Sequence, residues 1–246
     1  MNILITRPTS QAKKLTSLVQ KAGFQPILFP TLEVKALQNQ TKKSRYDVII
    51  FISANAVDHA MPVLDQIEHD SSLVCAVGSA TAKRLQHWGM AVDVYPKDKA
   101  SSEALLAMPK ISHLNNQDVL IFRGKGGRET LKLGLEKHNN RVEYIEVYER
   151  VTPETTPQHH QSLLTITDHS GVITVTSIQS LESMFDLANK IDATSLQRLK
   201  QMPIVVLSSR IGDFAISVGF SQVIVSKTTD DLGIVEAIKQ IKTSKN

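Results

Sequence analysis

Two stretches, DVIIFISANAV at Asp47–Val57 and GVITVTSIQSL at Gly171–Leu181, decide the fold. Each begins with an unbroken apolar run rich in β-branched residues and ends in small polar ones. A strand with one wet face alternates apolar and polar residues, whereas a strand covered on both faces is apolar throughout. Both runs therefore read as interior strands of a parallel sheet. Asn2–Thr6, Leu73–Val77, Asp118–Phe122, Pro203–Leu207 and Gln222–Val225 read in the same way. Between them lie helical patterns at Gln11–Ala22, Ala80–Trp88, Arg128–His138, Ile211–Val218 and Asp230–Ile241; in the last, Leu232, Val235, Ile238 and Ile241 recur at helical spacing. Strand–helix alternation with short turns predicts an α/β fold with parallel sheets.

The two stretches also resemble each other, and they are not alone. NILITR at 2–7 resembles DVLIFR at 118–123, and CAVGSATAKRLQHWG at 75–89 resembles VVLSSRIGDFAISVG at 205–219. Any two strand–helix units share an apolar run and a small-residue turn, so each pair alone says little. Three pairs in one order predict two related halves.

Composition narrows the class. The 246 residues are 41% hydrophobic and 21% charged, which suits a globular chain able to bury a sizeable core. The net charge of +4 and the pI near 9.1 suit either nucleic acid or an acidic small molecule. Lysine and arginine are scattered and aromatics are only 5%, which favours the small molecule over nucleic acid. Cys75, alone in an apolar run, reads as a buried hydrophobe. No leader pattern and no membrane-length apolar run is visible, so a cytoplasmic chain without membrane contact is expected.

Common catalytic signatures are missing. There is no Walker A loop, HExxH or GxSxG, and Glu129 stands where the last glycine of a dinucleotide fingerprint would be. His159-His160 lies in a polar stretch and reads as solvated. With one cysteine, no cysteine-type zinc site can form.

What remains is the set of turns after the strands: Arg7–Ser10, Ser53-Ala54-Asn55, Gly78-Ser79-Ala80-Thr81, Arg123–Gly127, Thr176-Ser177 and Ser208-Ser209-Arg210. In an open parallel sheet these turns lie at the carboxyl edge, where ligands bind, and each feeds a helix N-terminus that attracts anions. Arg7, Arg123, Arg128 and Arg210 add charge. Helix capping alone explains any single turn; together they predict an anion-binding edge without naming the anion. Of the carboxylates, Asp47 and Glu103 are the candidates for acid–base work, though Glu103 also suits a helix start. Tyr148 follows the extended run Val142–Val147, where packing is its ordinary role.

The motifs NILITRP, DVIIFISANAV, AVGSATAKRL with Trp88-Gly89, Ser102-Glu103 before Ala104-Leu105-Leu106, FRGKGGRETL and VEYIEVYERV resemble the uroporphyrinogen-III synthase family, in order over nearly the whole chain. The resemblance implies two flavodoxin-like parallel-sheet domains, 1–34 with 152–246 and an inserted 36–150. Leu32–Lys35 and Tyr148–Thr152 would form a two-stranded linker, with the active site in the interdomain cleft. It implies a monomer that needs no cofactor or metal and cyclises hydroxymethylbilane, inverting the fourth ring and releasing water. Mapped onto this chain, the substrate-binding residues would be Arg7, Ser53, Ala54, Asn55, Gly78, Ser79, Thr81, Ser101, Ser102, Glu103, Arg123, Gly124, Thr176, Ser177, Ile178, Ser208, Ser209 and Arg210. Tyr148 would assist loss of the hydroxyl. Two departures stand out. Ile52 sits where relatives often have threonine, and the Leu207–Arg210 turn lacks a glycine matching Gly78. The alternative is a non-catalytic two-domain binding module for a small polyanion; a nucleotide or flavin domain lacks its glycine fingerprint.

Overall fold

The computed structural model describes residues 1–167 and 171–243. Residues 168–170 and 244–246, which fall in the expected first domain, lie outside the described residues. In chain order the elements are β1 (Asn2–Ile5), α1 (Thr9–Lys21), β2 (Gln25–Leu28), β3 (Glu33–Ala36), β4 (Val48–Phe51), α2 (Ala54–Leu64), β5 (Leu73–Ala76) and α3 (Ser79–His87). Then come α4 (Ser102–Leu106), α5 (Pro109–Ser112), β6 (Asp118–Gly124), α6 (Thr130–Glu136), β7 (Arg141–Val151), α7 (Pro157–Thr167), β8 (Gly171–Val175) and α8 (Ile178–Ile191). The chain closes with α9 (Ala193–Lys200), β9 (Ile204–Val206), α10 (Ser209–Ser217), β10 (Val223–Val225) and α11 (Asp231–Thr243). It forms an α/β fold that divides into two compact units, Met1–Glu33 with Val151–Asn246, and Val34–Arg150.

Each unit has its own sheet. The first runs β10-β9-β8-β1-β2 and the second β3-β7-β6-β4-β5. The quoted stretches form their middles: Leu4 pairs with Ile173 and Ile50 with Ile121, both in parallel. The three repeated blocks supply β1 and β6, β4 and β8, β5 and β9. Written from the β5 edge, the second sheet reads β5-β4-β6-β7, the counterpart of β9-β8-β1-β2. Even the outer strand has an echo, since β10 pairs with β9 while Val94 makes a lone parallel bridge to Cys75. The segments expected as a linker mostly lie in β3 and the end of β7, neighbours in the second sheet.

The central strands β4, β8 and β9 are buried throughout because both faces are covered. In the second unit Ile49, Phe51, Leu120 and Phe122 pack under α2 and α3, while Val48, Ile50, Val119 and Ile121 pack under α4, α5 and α6. In the first, Leu4, Ile173 and Val175 face α7–α10, while Ile3, Ile5 and Val172 face α1 and α11. Period-two alternation here sorts side chains between two dry layers rather than between core and water. Cys75 is fully buried, and burial pushes its thiol up to about 12, as an inert core residue requires.

One reading fails. His159 is not solvated: it is 3% exposed, with its ring edge-on to Phe29 at 5.1 Å. The Thr156 backbone N–H donates to Nδ1 at 3.1 Å, so Nε2 carries the proton and donates to the Pro30 carbonyl at 2.9 Å. The polar stretch around it misled because a helix start and a buried carbonyl both need partners there. His160, by contrast, is exposed. His159→Leu keeps the bulk but leaves the Pro30 carbonyl and the Thr156 N–H unsatisfied. A loss of about 1–3 kcal/mol is expected in urea unfolding; unchanged stability would restore the solvated reading.

Candidate functional site

In each sheet the helices after two adjacent central strands leave on opposite faces. The helix after β4 packs on one face of the second sheet and the helix after β6 on the other. In the first sheet the same holds for the helices after β8 and β1. At such a switch point the two turns part and leave a crevice at the carboxyl edge, the general ligand site of open α/β sheets. Each unit therefore has one such switch point. Ser53 follows β4 and Gly124 ends β6 in the second unit; Thr176-Ser177 follow β8 and Arg7 follows β1 in the first.

The second unit gathers the most chemistry. Ser53 caps α2, its hydroxyl accepting from the Ala56 N–H at 3.0 Å. Its oxygen also lies 3.2 Å from the Tyr148 hydroxyl. The Tyr148 ring is 3% exposed and belongs to the core, with His59 tilted against it at 5.9 Å. Arg150 stands over the ring at 5.5 Å and donates to the hydroxyl at 3.4 Å. Tyr148 is thus a packing residue by its ring, with its oxygen bonded between Ser53 and Arg150. Ala54 and Asn55 begin α2 beside it and are half-buried.

Several other expected residues serve the fold. Gly78 does not open the backbone to a ligand: a Cβ there would lie 2.3 Å from that of Ala100. The adjoining loop already fills the space, so a missing glycine in the Leu207–Arg210 turn has another meaning. Ser79 donates to the Lys97 carbonyl at 3.1 Å, and Thr81 is 4% exposed. Arg123 brings no free charge to the edge. Its guanidinium is buried under the next loop, bonded to the Gly126 carbonyl and, at 2.9 Å, to Glu129, and lies over the Tyr144 ring at 4.3 Å. Positive φ at Gly126 and Gly127 lets that loop fold over it, which delays the expected helix start from Arg128 to Thr130. Ser101 caps α4 by accepting from the Ala104 N–H at 3.0 Å, with Ser102 following it. Glu103 is exposed and pairs with Arg128 at 2.8 Å; hydrogen bonds from its own backbone N–H and from Ser101 hold its carboxyl below the usual range. It carries the wrong sign for a polyanion. Asp47 accepts from the Asp118 backbone N–H at 2.8 Å, a structural role. Ile52 packs against an apolar cluster.

In the first unit Ser177 caps α8 through the Ser180 N–H at 3.0 Å, and Ile178 packs on the core beside half-buried Thr176. Ser208 caps α10 by position, in the same extended conformation, yet its hydroxyl makes no capping bond. Ser209 and Arg210 beside it are exposed. Arg7 is mostly buried and paired with Asp231 at the start of α11, so its charge is answered within the unit. Beneath this edge lies a cluster the sequence did not disclose. The Thr6 hydroxyl donates to the Thr174 carbonyl at 2.8 Å, and both Thr6 and Thr31 bond Ser180, at 3.0 and 2.7 Å. All four residues are buried. Thr6 and Ser180 are 174 positions apart, so no local pattern could join them. Among the described residues no cluster of histidine, cysteine and carboxylate side chains could hold a metal, and no helix is long and apolar enough to cross a membrane.

Comparison with known proteins points one way. A family model described as Uroporphyrinogen-III synthase HemD matches residues 13–236. A uroporphyrinogen-III synthase of Proteus mirabilis is 33% identical over 161 residues, covering 61% of this chain and 81% of that protein. One from Salmonella typhimurium is 27% identical over 256 residues, covering 97% and 100%. Among solved structures, the uroporphyrinogen-III synthetase of Helicobacter pylori superposes with a TM-score of 0.68 at 14% identity, covering 98% of this chain and 99% of that one.

The buried bonds of Arg123 make it a loop anchor. Arg123→Met should lower stability by about 1–3 kcal/mol in urea unfolding while KM stays close to the parent. Unchanged stability with a raised KM would instead return Arg123 to the substrate.

Proposed function

The chain belongs to the uroporphyrinogen-III synthase family, and we propose that hydroxymethylbilane is its substrate and that the switch-point edge of each unit can hold substrate carboxylates. By family it is an enzyme, a lyase and cyclase of tetrapyrrole biosynthesis. In this reading the substrate's terminal hydroxyl departs as water, the chain closes through its fourth ring, and that ring emerges inverted. Each of the helices that begin at these edges, α2 in the second unit and α8 and α10 in the first, offers free N–H groups and a positive dipole end to a carboxylate. The uncapped Ser208 hydroxyl and exposed Arg210 add a donor and a full charge to the α10 end. Gly78, which makes way for Ala100, and Arg123, which anchors the next loop, keep these turns in place.

The observation that carries the reading is the Tyr148 hydroxyl at the α2 N-terminus, 3.2 Å from Ser53, inside the second unit's switch point. A departing hydroxyl needs a proton, and a phenol O–H is a group that can donate a hydrogen bond or a proton to it. The positive end of α2 beside it favours anions, so a carboxylate bound there would bring the leaving group within reach. The rest of the task is conformational. The bilane must be held bent so that inverted closure outruns direct closure, a matter of positioning rather than of a strong nucleophile.

Supplied with hydroxymethylbilane, the chain should release the type III isomer, separated by chromatography after oxidation. Type I product alone, at the uncatalysed rate, would mean a binding module. Tyr148→Phe keeps the packed ring and removes the oxygen. A fall in kcat at the lower end of the roughly 10²–10⁴-fold contribution of positioned acids, or less, is expected, with little change in melting temperature. Parental turnover would leave Tyr148 a packing residue.

A further inference from the structure

We propose that Gly124 is a positioning residue which, with a bulge in β7, holds the Tyr148 hydroxyl against Ser53. The proposal rests on the reading of Tyr148 above and adds how its oxygen comes to be there. Strands β6 and β7 pair in parallel in regular register from Asp118↔Arg141 to Arg123↔Glu146. The next pair is Gly124↔Tyr148, so Val147 is an extra residue on β7. Up to that point β7 alternates in the ordinary way: Val142 and Tyr144 pack on the cluster under α4–α6, Ile145 and Val147 on the cluster under α2 and α3. Continued alternation would send Tyr148 to the Tyr144 side. Instead Val147 and Tyr148, consecutive residues, both join the α2 side. A bulge re-aims a side chain in this way, and bulges recur next to active sites. The Lys125 N–H, donating to the Tyr148 carbonyl at 2.7 Å, ties down the backbone after the shift.

The redirected ring needs room, and Gly124 supplies it. A Cβ on Gly124 would lie 2.5 Å from Cζ, 2.7 Å from Cε2 and 2.9 Å from the oxygen of Tyr148. These contacts fall on the phenol end of the ring, where displacement moves the hydroxyl most. Gly124 has no left-handed backbone angle that would demand glycine, so space is the reason for it. Ser53 completes the aim from the other side, at 3.2 Å. The family resemblance placed Gly124 among substrate contacts; the geometry points to a residue that acts through Tyr148.

The test is a double-mutant cycle with an independent spectroscopic readout. Gly124→Ala should lower kcat about as far as Tyr148→Phe does, leaving KM near the parent, and the double variant should match Tyr148→Phe alone, since a displaced oxygen cannot matter once absent. Multiplying losses, or full kcat in Gly124→Ala where Tyr148→Phe has lost it, would overturn the proposal. With tyrosine labelled at ¹³Cζ the chain gives four signals, one per tyrosine, and Tyr148→Phe identifies its own. Gly124→Ala should shift that signal and spare the other three, and Ser53→Ala should shift it too. A Tyr148 signal unmoved by Gly124→Ala would overturn the proposal even where the fold is intact. If Tyr148→Phe turns over like the parent while the signal still shifts, the acid reading fails and the placement stands.

Discussion

Parallel pairing of fully buried strands constrains everything else in this chain. A strand buried on both faces cannot hydrogen-bond to water, so β1 and β8, β4 and β6 must satisfy one another along their length. Parallel neighbours cannot be joined by a tight turn; each connection crosses over through a helix. With two dry faces to cover, the crossovers after adjacent central strands go to opposite faces, and the turns part where they diverge. The crevice is a consequence of covering the sheet and exists before any functional residue is chosen.

That origin explains which residues sit there. The turns must begin helices, so they hold Ser53, Ser177 and Ser208, good caps that also present N–H groups toward an anion. A serine at such a turn suits a helix cap and an anion contact alike, and composition cannot separate the two roles. Bonding does so in one place: Ser53 and Ser177 cap their helices, whereas the Ser208 hydroxyl makes no such bond. Charge sorts likewise. Arg7 is answered by Asp231, Arg123 by Glu129 and a carbonyl, and Arg128 by Glu103, so a basic net charge overstates what the edge offers. What these edges offer an anion in the proposed reading is therefore more backbone dipole than arginine.

Irregularity then supplies what the repeat does not. The two sheets share a strand order, but the second has the bulge at Val147, the loop over Arg123 and the phenol against α2. A common scaffold in both units with these irregularities in one is how a repeated fold comes to have two different edges.

The sequence by itself determined the strands dry on both faces, because such a segment must be apolar at every position, as in Val48–Phe51 and Gly171–Val175, but not β2 or the polar strand β3. It determined the repeat, because equivalent strands face equivalent neighbours, and the turn residues, because caps follow local rules. It also held the family likeness, in motifs spread along the chain. It could not show that His159 is buried, that Thr6 and Ser180 meet, or that Gly78 makes way for Ala100, because each depends on a partner distant in the chain. Tyr148 shows the division most clearly. Its place in an extended run was legible, but the face it takes was not, because the bulge that turns it is a relation between two strands. Tertiary structure decided that relation, since only the pairing of Gly124 with Tyr148 leaves a space of the right shape for the ring.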